Sequence, residues 1–222
     1  MSPQVELTPG EASYIKFQNG HCRSEIAAEV RELVGIINEE TESQVVYDAF
    51  QRARQILIIG PGSEAPELDL LSVTYDRGDS TVVMDIPDQT NITLVEKSEG
   101  FEGIPFVMYG IMERFPNITV HQGVTIREFC DINQFPMFDL ILYLRVEVLQ
   151  GGSKPEFLGG YLTQLLNESG VAIVTGDRDG IDRLINSTEG LLRYESVIHD
   201  LPEGLYHDNF IGGHSGVVLF KP

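Results

Sequence analysis

Apolar positions recur along the chain with two different periods, and the changes between them mark out its elements. From Ser24, Ile26, Val30, Leu33, Val34 and Ile37 fall at the spacing of one helix face. After a capping stretch at Thr41-Glu42-Ser43, Val45, Val46, Ala49, Phe50 and Ala53 predict a second helix. The pattern then shifts. The run Ile56–Ile59 carries no polar residue and ends at Gly60-Pro61-Gly62. Such a run is the habit of a strand buried on both faces, as in parallel sheets. Ile92–Val95, Ile118–Val120, Phe138–Leu144 and Val171–Val174 read as further strands. Between them lie helical stripes, one over Ile104, Val107, Met108, Ile111, Met112 and Phe115. Another runs over Phe157, Leu158, Tyr161, Leu162, Leu165 and Leu166, with Gly170 as its stop, and a third over Ile181, Leu184 and Ile185.

Strands alternating with helices predict a doubly wound α/β fold with five or six parallel strands. The last two strand runs, Tyr194–His199 and Gly216–Phe220, have no clear helix between them, which predicts a reversed C-terminal strand. The expected fold is a mostly parallel, seven-stranded sheet with helices on both faces and an N-terminal helical cap. Residues 1–50 are expected to form a polar arm and the cap, and 51–222 the core. A stretch near 67–90 breaks the rhythm. Val73–Asp76 and Thr81–Asp85 flank a turn at Gly78 and predict an inserted hairpin. The Arg77-Gly78-Asp79 string is explained by that turn.

Charge narrows the partners. The 222 residues include 15 Lys and Arg against 34 Asp and Glu, a net charge of −19. So acidic a chain repels phosphate backbones and anionic lipid, which argues against nucleic acid and membrane as partners. No apolar run approaches the length of a membrane helix, and the N-terminus shows no signal-peptide pattern. The two cysteines, Cys22 and Cys130, lack metal-ligand spacing and fit reduced thiols in an intracellular, cytoplasmic protein. A homodimer is left open. No metal motif, phosphate loop or serine-hydrolase elbow occurs.

The strand-turn segment Ile56–Gly62 is the most informative. Glycines straight after a buried strand let the backbone approach a ligand, and open α/β sheets bind ligands beyond the carboxyl ends of their strands. Glu96 ends the next core strand, where a carboxylate can accept both hydroxyl protons of a ribose. Gly60-x-Gly62-x-x-Ala65 also matches a nicotinamide dinucleotide fingerprint. There the acid is expected about 20 residues on, and Glu96 lies well beyond that. A reductase using NAD(P) therefore ranks lower.

Taken together, residues 52–222 resemble the class I S-adenosylmethionine-dependent methyltransferases. Ile56–Gly62 resembles that family's first motif, and Ile92–Glu96 its second, whose acid binds the ribose. His121–Val124 resembles the loop bordering the adenine. Phe138–Leu144 resembles the fourth strand, which often ends beside the reacting methyl group. Gly170–Val174 resembles the fifth strand, and the closing strand pair the reversed hairpin. Three positions depart from the family pattern. Ile58 replaces an acid, Glu64 a glycine, and Val124 an Asp.

The resemblance implies S-adenosylmethionine as cofactor, held by Gly60, Pro61, Gly62, Ser63, Glu96, Lys97, Gly123, Val124 and Arg145. It implies methyl transfer to an oxygen or nitrogen of a small molecule, of the kind found in secondary metabolism. His21, His214 and Glu147 are the candidate catalytic groups, as bases placed on the arm or at strand ends. Tyr14, Phe17 and His207 are candidates for contact with the acceptor, and the two aromatic rings also for covering the sulfonium. The three departures keep a second reading open, a methyltransferase-like scaffold that binds the cofactor or a partner without methyl transfer.

Overall fold

A run of apolar residues flanked by polar ends can be buried on both faces only if other layers cover it, and β1 (Gln55–Ile59) shows this directly. Ile56, Leu57 and Ile58 are at most 1% exposed. The structure is a computed structural model that describes residues 45–61, 72–77, 80–85, 90–97, 117–144, 155–199 and 214–222. β1 lies near the centre of a seven-stranded sheet. The other members are β4 (Asn91–Glu96), β5 (Ile118–Gln122), β6 (Phe138–Tyr143), β7 (Leu166–Asp177), β8 (Arg193–His199) and β9 (His214–Phe220). Their order is β5-β4-β1-β6-β7-β9-β8. β5, β4, β1, β6 and β7 run parallel, and β9 runs against both β7 and β8. β9 is thus the reversed strand that the C-terminal pattern predicts. β2 (Ser72–Arg77) and β3 (Ser80–Asp85) pair antiparallel as a separate two-stranded sheet, which is the expected hairpin.

Strand alternation sorts the core into two layers. Leu57, Ile141, Ala172 and Leu219 stand side by side in register and share one face. They form an apolar cluster with three helices: α2 (Ile126–Asn133), α3 (Pro155–Leu165) and α4 (Arg178–Ser187). Ile56, Ile92, Leu140 and Ile173 belong to the opposite face and are fully buried too. Helix α1 (Val45–Arg52) lies against β6 and β7 and buries Val46 and Phe50 completely, outside the first cluster. It runs across residue 50, where the sequence places the join between cap and core.

The amino ends of the central strands are tied by one carboxylate. Asp139 Oδ2 accepts hydrogen bonds from the backbone N–H groups of Arg54 (2.7 Å) and Gln55 (2.9 Å), and its Oδ1 accepts one from the Asn167 amide. The start of β1 is thereby fixed against the starts of β6 and β7. Thr90 adds a buried hydroxyl bond to the Ala53 carbonyl at 2.9 Å.

One boundary differs from expectation. The stripe ending at Leu166 predicts a helix continuing to Gly170, but α3 stops at Leu165 and Leu166 already pairs with Phe138. The register then shifts before Leu140 meets Val171. Gly170 is therefore part of a bulged strand. A Cβ there would come within 2.7 Å of the Phe138 carbonyl oxygen, so close strand approach demands glycine. Helix α2 is a second difference, since the sequence reading includes no helix there; its stripe is only Ile126, Phe129 and Cys130. The predicted helices over 26–37 and 104–115 lie outside the described residues.

Two adjacent glycines in α3 give opposite expectations. A Cβ on Gly159 would lie 2.5 Å from Ser187 Oγ and 2.8 Å from Thr188 Cγ2. Both side chains are held by bonds to carbonyls of α4, at 2.7 and 3.0 Å. A Cβ on Gly160 meets nothing within 4 Å. Gly159→Ala is expected to destabilise by about 1–3 kcal/mol through overpacking of α3 on α4. Gly160→Ala is expected to stabilise by roughly 0.5–1 kcal/mol. Urea denaturation of the two variants checks the pair, and equal effects would contradict this packing.

Candidate functional site

Every strand of the parallel block ends its carboxyl end on the same side of the sheet, and there the buried chain first offers polar groups. β1 leaves the sheet through Gly60, whose φ of 67° suits glycine and few other residues. The Gly60 N–H donates to the Val95 carbonyl at 2.9 Å, which ties the turn to the end of β4. Pro61 follows, buried. Glu96 closes β4 and is only 7% exposed, and Lys97 beside it is exposed. A buried carboxylate is costly unless polar groups meet it, so its place at the pole of the sheet is informative.

The end of β5 is folded back onto the same place. Gly123, with φ 70°, turns the chain so that the Val124 N–H donates to the Glu96 carbonyl at 3.2 Å. Val124 thus presents its partly buried side chain, with its amide already used. Thr125 then caps α2 in a reciprocal box. Its hydroxyl accepts from the Glu128 N–H at 3.2 Å, and Glu128 Oε2 accepts from the Thr125 N–H at 2.9 Å and from its hydroxyl at 2.8 Å. This Thr-x-x-Glu box is the local signal that locates α2. His121 packs edge-on against Phe129 with ring centroids 4.9 Å apart, which anchors β5 to α2.

On the other side of β1, β6 ends in Tyr143, 4% exposed, followed by buried Leu144. β7 ends in Asp177, whose Oδ1 accepts the Gly180 N–H at 2.6 Å and so caps α4. Burial first, then the charges of Asp177 and Glu96, push the Tyr143 phenol well above its ordinary pKa. The phenol is therefore neutral at physiological pH and senses both carboxylates. Burial and then the Asp131 charge raise the Cys130 thiol to about 12, so it is no nucleophile.

The structure brings Gly60, Pro61, Glu96, Lys97, Gly123 and Val124 to one pole of the sheet. The His214 backbone pairs with Asp177 at that pole. Tyr14, Phe17, His21, Gly62, Ser63, Arg145, Glu147 and His207 lie outside the described residues, as does the side chain of His214. Tyr143 and Asp177 are polar groups at the site that the sequence pattern does not single out. Their only signal is position, each the last residue of a core strand. Among the described residues, no group of three His, Cys, Asp or Glu is placed to hold a metal. No described helix is long and apolar enough to cross a membrane.

The Glu128 carboxyl is held below the usual carboxylate range, first by the Thr125 backbone and then by its hydroxyl. A lowered folded pKa contributes stability above the unfolded value and loses it as the pH falls through the folded value. Glu128→Gln is therefore expected to destabilise at neutral pH and to match the wild type in strong acid, below both pKa values. Urea midpoints measured across that range check it, and a pH-independent difference would contradict the box.

No protein-family model matches the sequence, and no curated protein does. Solved structures do match in shape. The [4+2]-cyclase SpnF aligns with a TM-score of 0.57 at 13% identity, over 86% of this chain and 80% of its own. The N-methyltransferase NodS from Bradyrhizobium japonicum WM9 aligns at 0.54 and 13% identity, over 88% and 97%. The O-methyltransferase TomG from Streptomyces achromogenes, solved in complex with SAM, aligns at 0.51 and 13% identity, over 90% and 88%. At such identities the likeness concerns fold alone. With its strand order, its single reversed strand and its helices, the chain has the Rossmann-like fold of the class I SAM-dependent methyltransferases.

Proposed function

We propose that the protein binds S-adenosylmethionine at the carboxyl ends of β1, β4 and β5 and transfers its methyl group to an oxygen or nitrogen of a small molecule. The observation that carries this reading is the buried Glu96, held beside the Gly60 turn by two backbone bonds, Gly60 to Val95 and Val124 to Glu96. The residues present fit an adenosine. A carboxylate at a strand end suits the paired ribose hydroxyls, a glycine turn leaves room for close backbone approach, and Val124 and Lys97 flank the place of the base. Gly62, Ser63 and Arg145 complete the proposed cofactor contacts. The cofactor, when bound, supplies an electrophilic methyl group on a sulfonium.

The chain's own work is to bind, orient and keep water out. Glu96 fixes the ribose and with it the direction of the donor. His21, His214 and Glu147 are proposed to take a proton from the acceptor, and Tyr14, Phe17 and His207 to hold it. The neighbours that are O- and N-methyltransferases support this chemistry, and the net charge of −19 favours a neutral or cationic acceptor over an anionic one. We place the protein in the cytoplasm, with the N-terminal 50 residues as a cap over the core.

One observation favours a second reading. Ile58, at the position where the resemblance implies an acid, is 1% exposed and is core in the sheet. A scaffold that binds the cofactor without methyl transfer accommodates that change, and the cyclase SpnF shows a similar fold under another catalytic name. Both readings share the adenosine site. Calorimetric titration of S-adenosylhomocysteine into the protein tests it, with NADH as control. Binding is expected to weaken about 10- to 100-fold in Glu96→Ala, the loss of hydrogen bonds to a charged group. A folded wild-type protein that does not bind rejects the proposal. Methyl transfer to an acceptor panel then separates enzyme from scaffold.

A further inference from the structure

An open sheet must end somewhere, and its last strand carries a row of backbone N–H and C=O groups that no neighbouring strand takes up. β8 is such a strand, paired on one side with β9 at the end of the strand order. Among the described residues no strand pairs with its other side. The register of β8 on β9 shifts between Tyr194 and Val197, and a bulge of this kind bends a strand and interrupts its even edge. The stretch ahead of the bulge is open to solvent. Arg193, Tyr194 and Glu195 are all exposed. Tyr194 is 55% exposed, and Leu191, just before the strand, 53%, so two large apolar side chains stand in water at one short edge.

The charges beside them are complementary under a two-fold axis. When a strand pairs antiparallel with a copy of itself, residue i of one copy faces j of the other, and j faces i. An axis through Tyr194 sets Arg193 of each copy opposite Glu195 of the other, two opposite-charge pairs at once. An axis through Arg193 sets Arg against Arg, and one through Glu195 sets Glu against Glu, and like charges directly opposite are destabilising. The charge pattern therefore selects a single register. Among the described residues Arg193 has no ion-pair partner. Glu195 already interacts within the chain, and a carboxylate has lone pairs for further donors.

We propose that two copies of this chain associate through β8, paired antiparallel about Tyr194, so that two seven-stranded sheets continue into one another. The occupant of the edge is a second copy because the edge is complementary to itself. The net charge of −19 repels two copies at a distance, but that repulsion is screened beyond roughly 8 Å at physiological salt, and Arg193 and Glu195 cancel along the contact. A single strand pair is a small contact, so the dimer is reversible. β1, β6, β7 and β9 stand between β8 and β4, so the dimer forms with or without a ligand at Glu96.

Sedimentation equilibrium of the full chain at physiological salt tests the pairing. The wild type is expected to show a reversible monomer–dimer equilibrium in the micromolar range. Arg193→Glu and Glu195→Arg each set like charges opposite one another twice, and each is expected to weaken the dimer about tenfold or more. Combining Arg193→Glu with Glu195→Arg exchanges the charges and is expected to restore the wild-type dimer, a recovery that a structural role of either residue alone does not give. Tyr194→Cys places two thiols at the axis, at the separation of directly opposite strand residues, which a disulfide can span. Mild oxidation is expected to link this variant into a covalent dimer and to leave the wild type unlinked. A wild type that stays monomeric throughout overturns the proposal and leaves the edge to a different chain. Association beyond a dimer, a dimer indifferent to both single charge reversals, a combined variant that does not recover, or a Tyr194→Cys variant that does not cross-link also overturns it.

Discussion

β1 is buried on both faces, and this constraint arranges the rest of the molecule. With Ile56, Leu57 and Ile58 closed off from solvent, the strand has only its two ends to offer to polar chemistry. The chain treats those ends differently. At the amino end the Asp139 carboxylate accepts two backbone N–H groups of the α1–β1 connection and an amide from β7, which locks three strands in place. At the carboxyl end Gly60 turns away, and Glu96, Tyr143 and Asp177 close their strands there.

The carboxyl pole is built by backbone as much as by side chain. The Gly60 N–H reaches the end of β4, and the Val124 N–H reaches it from β5, so Glu96 is clasped from both sides by the turns that follow its neighbours. The capping box at Thr125 and the His121–Phe129 contact hold the second of those turns on α2. Glu96 is thereby a carboxylate kept buried at the tip of a strand. Across β1, Tyr143 and Asp177 repeat the theme, a buried polar group beside an acid that caps a helix.

Much of this was legible in the sequence because burial on two faces leaves a plain signature. The largely apolar runs place β1, β4, β6 and the core of β7 within a residue or so, and the missing helix before Gly216–Phe220 gives away the reversed strand. Glu96 and the Gly60 turn stand out for the same reason, as polar and flexible residues that end an apolar run. The failures have local causes. Leu166 fits the stripe of α3, yet strand pairing with Phe138 overrides helical periodicity, and Gly170 serves strand approach where a helix stop is expected. Helix α2 is short, with only Ile126, Phe129 and Cys130 buried, and its capping box is a stronger mark than its apolar residues. Tyr143 and Asp177 look like ordinary strand residues until the register shows that both lie at the same pole.

The central claim is that Glu96 is the ribose anchor of an adenosine site at the ends of β1 and β4. A crystal structure of the protein grown with S-adenosylhomocysteine tests it most directly. The account predicts both ribose hydroxyls within hydrogen-bond distance of the Glu96 carboxylate, with the thioether sulfur over the ends of β1 and β6. A ligand bound elsewhere, or one seated at this pole with Glu96 turned away from the ribose, would contradict it.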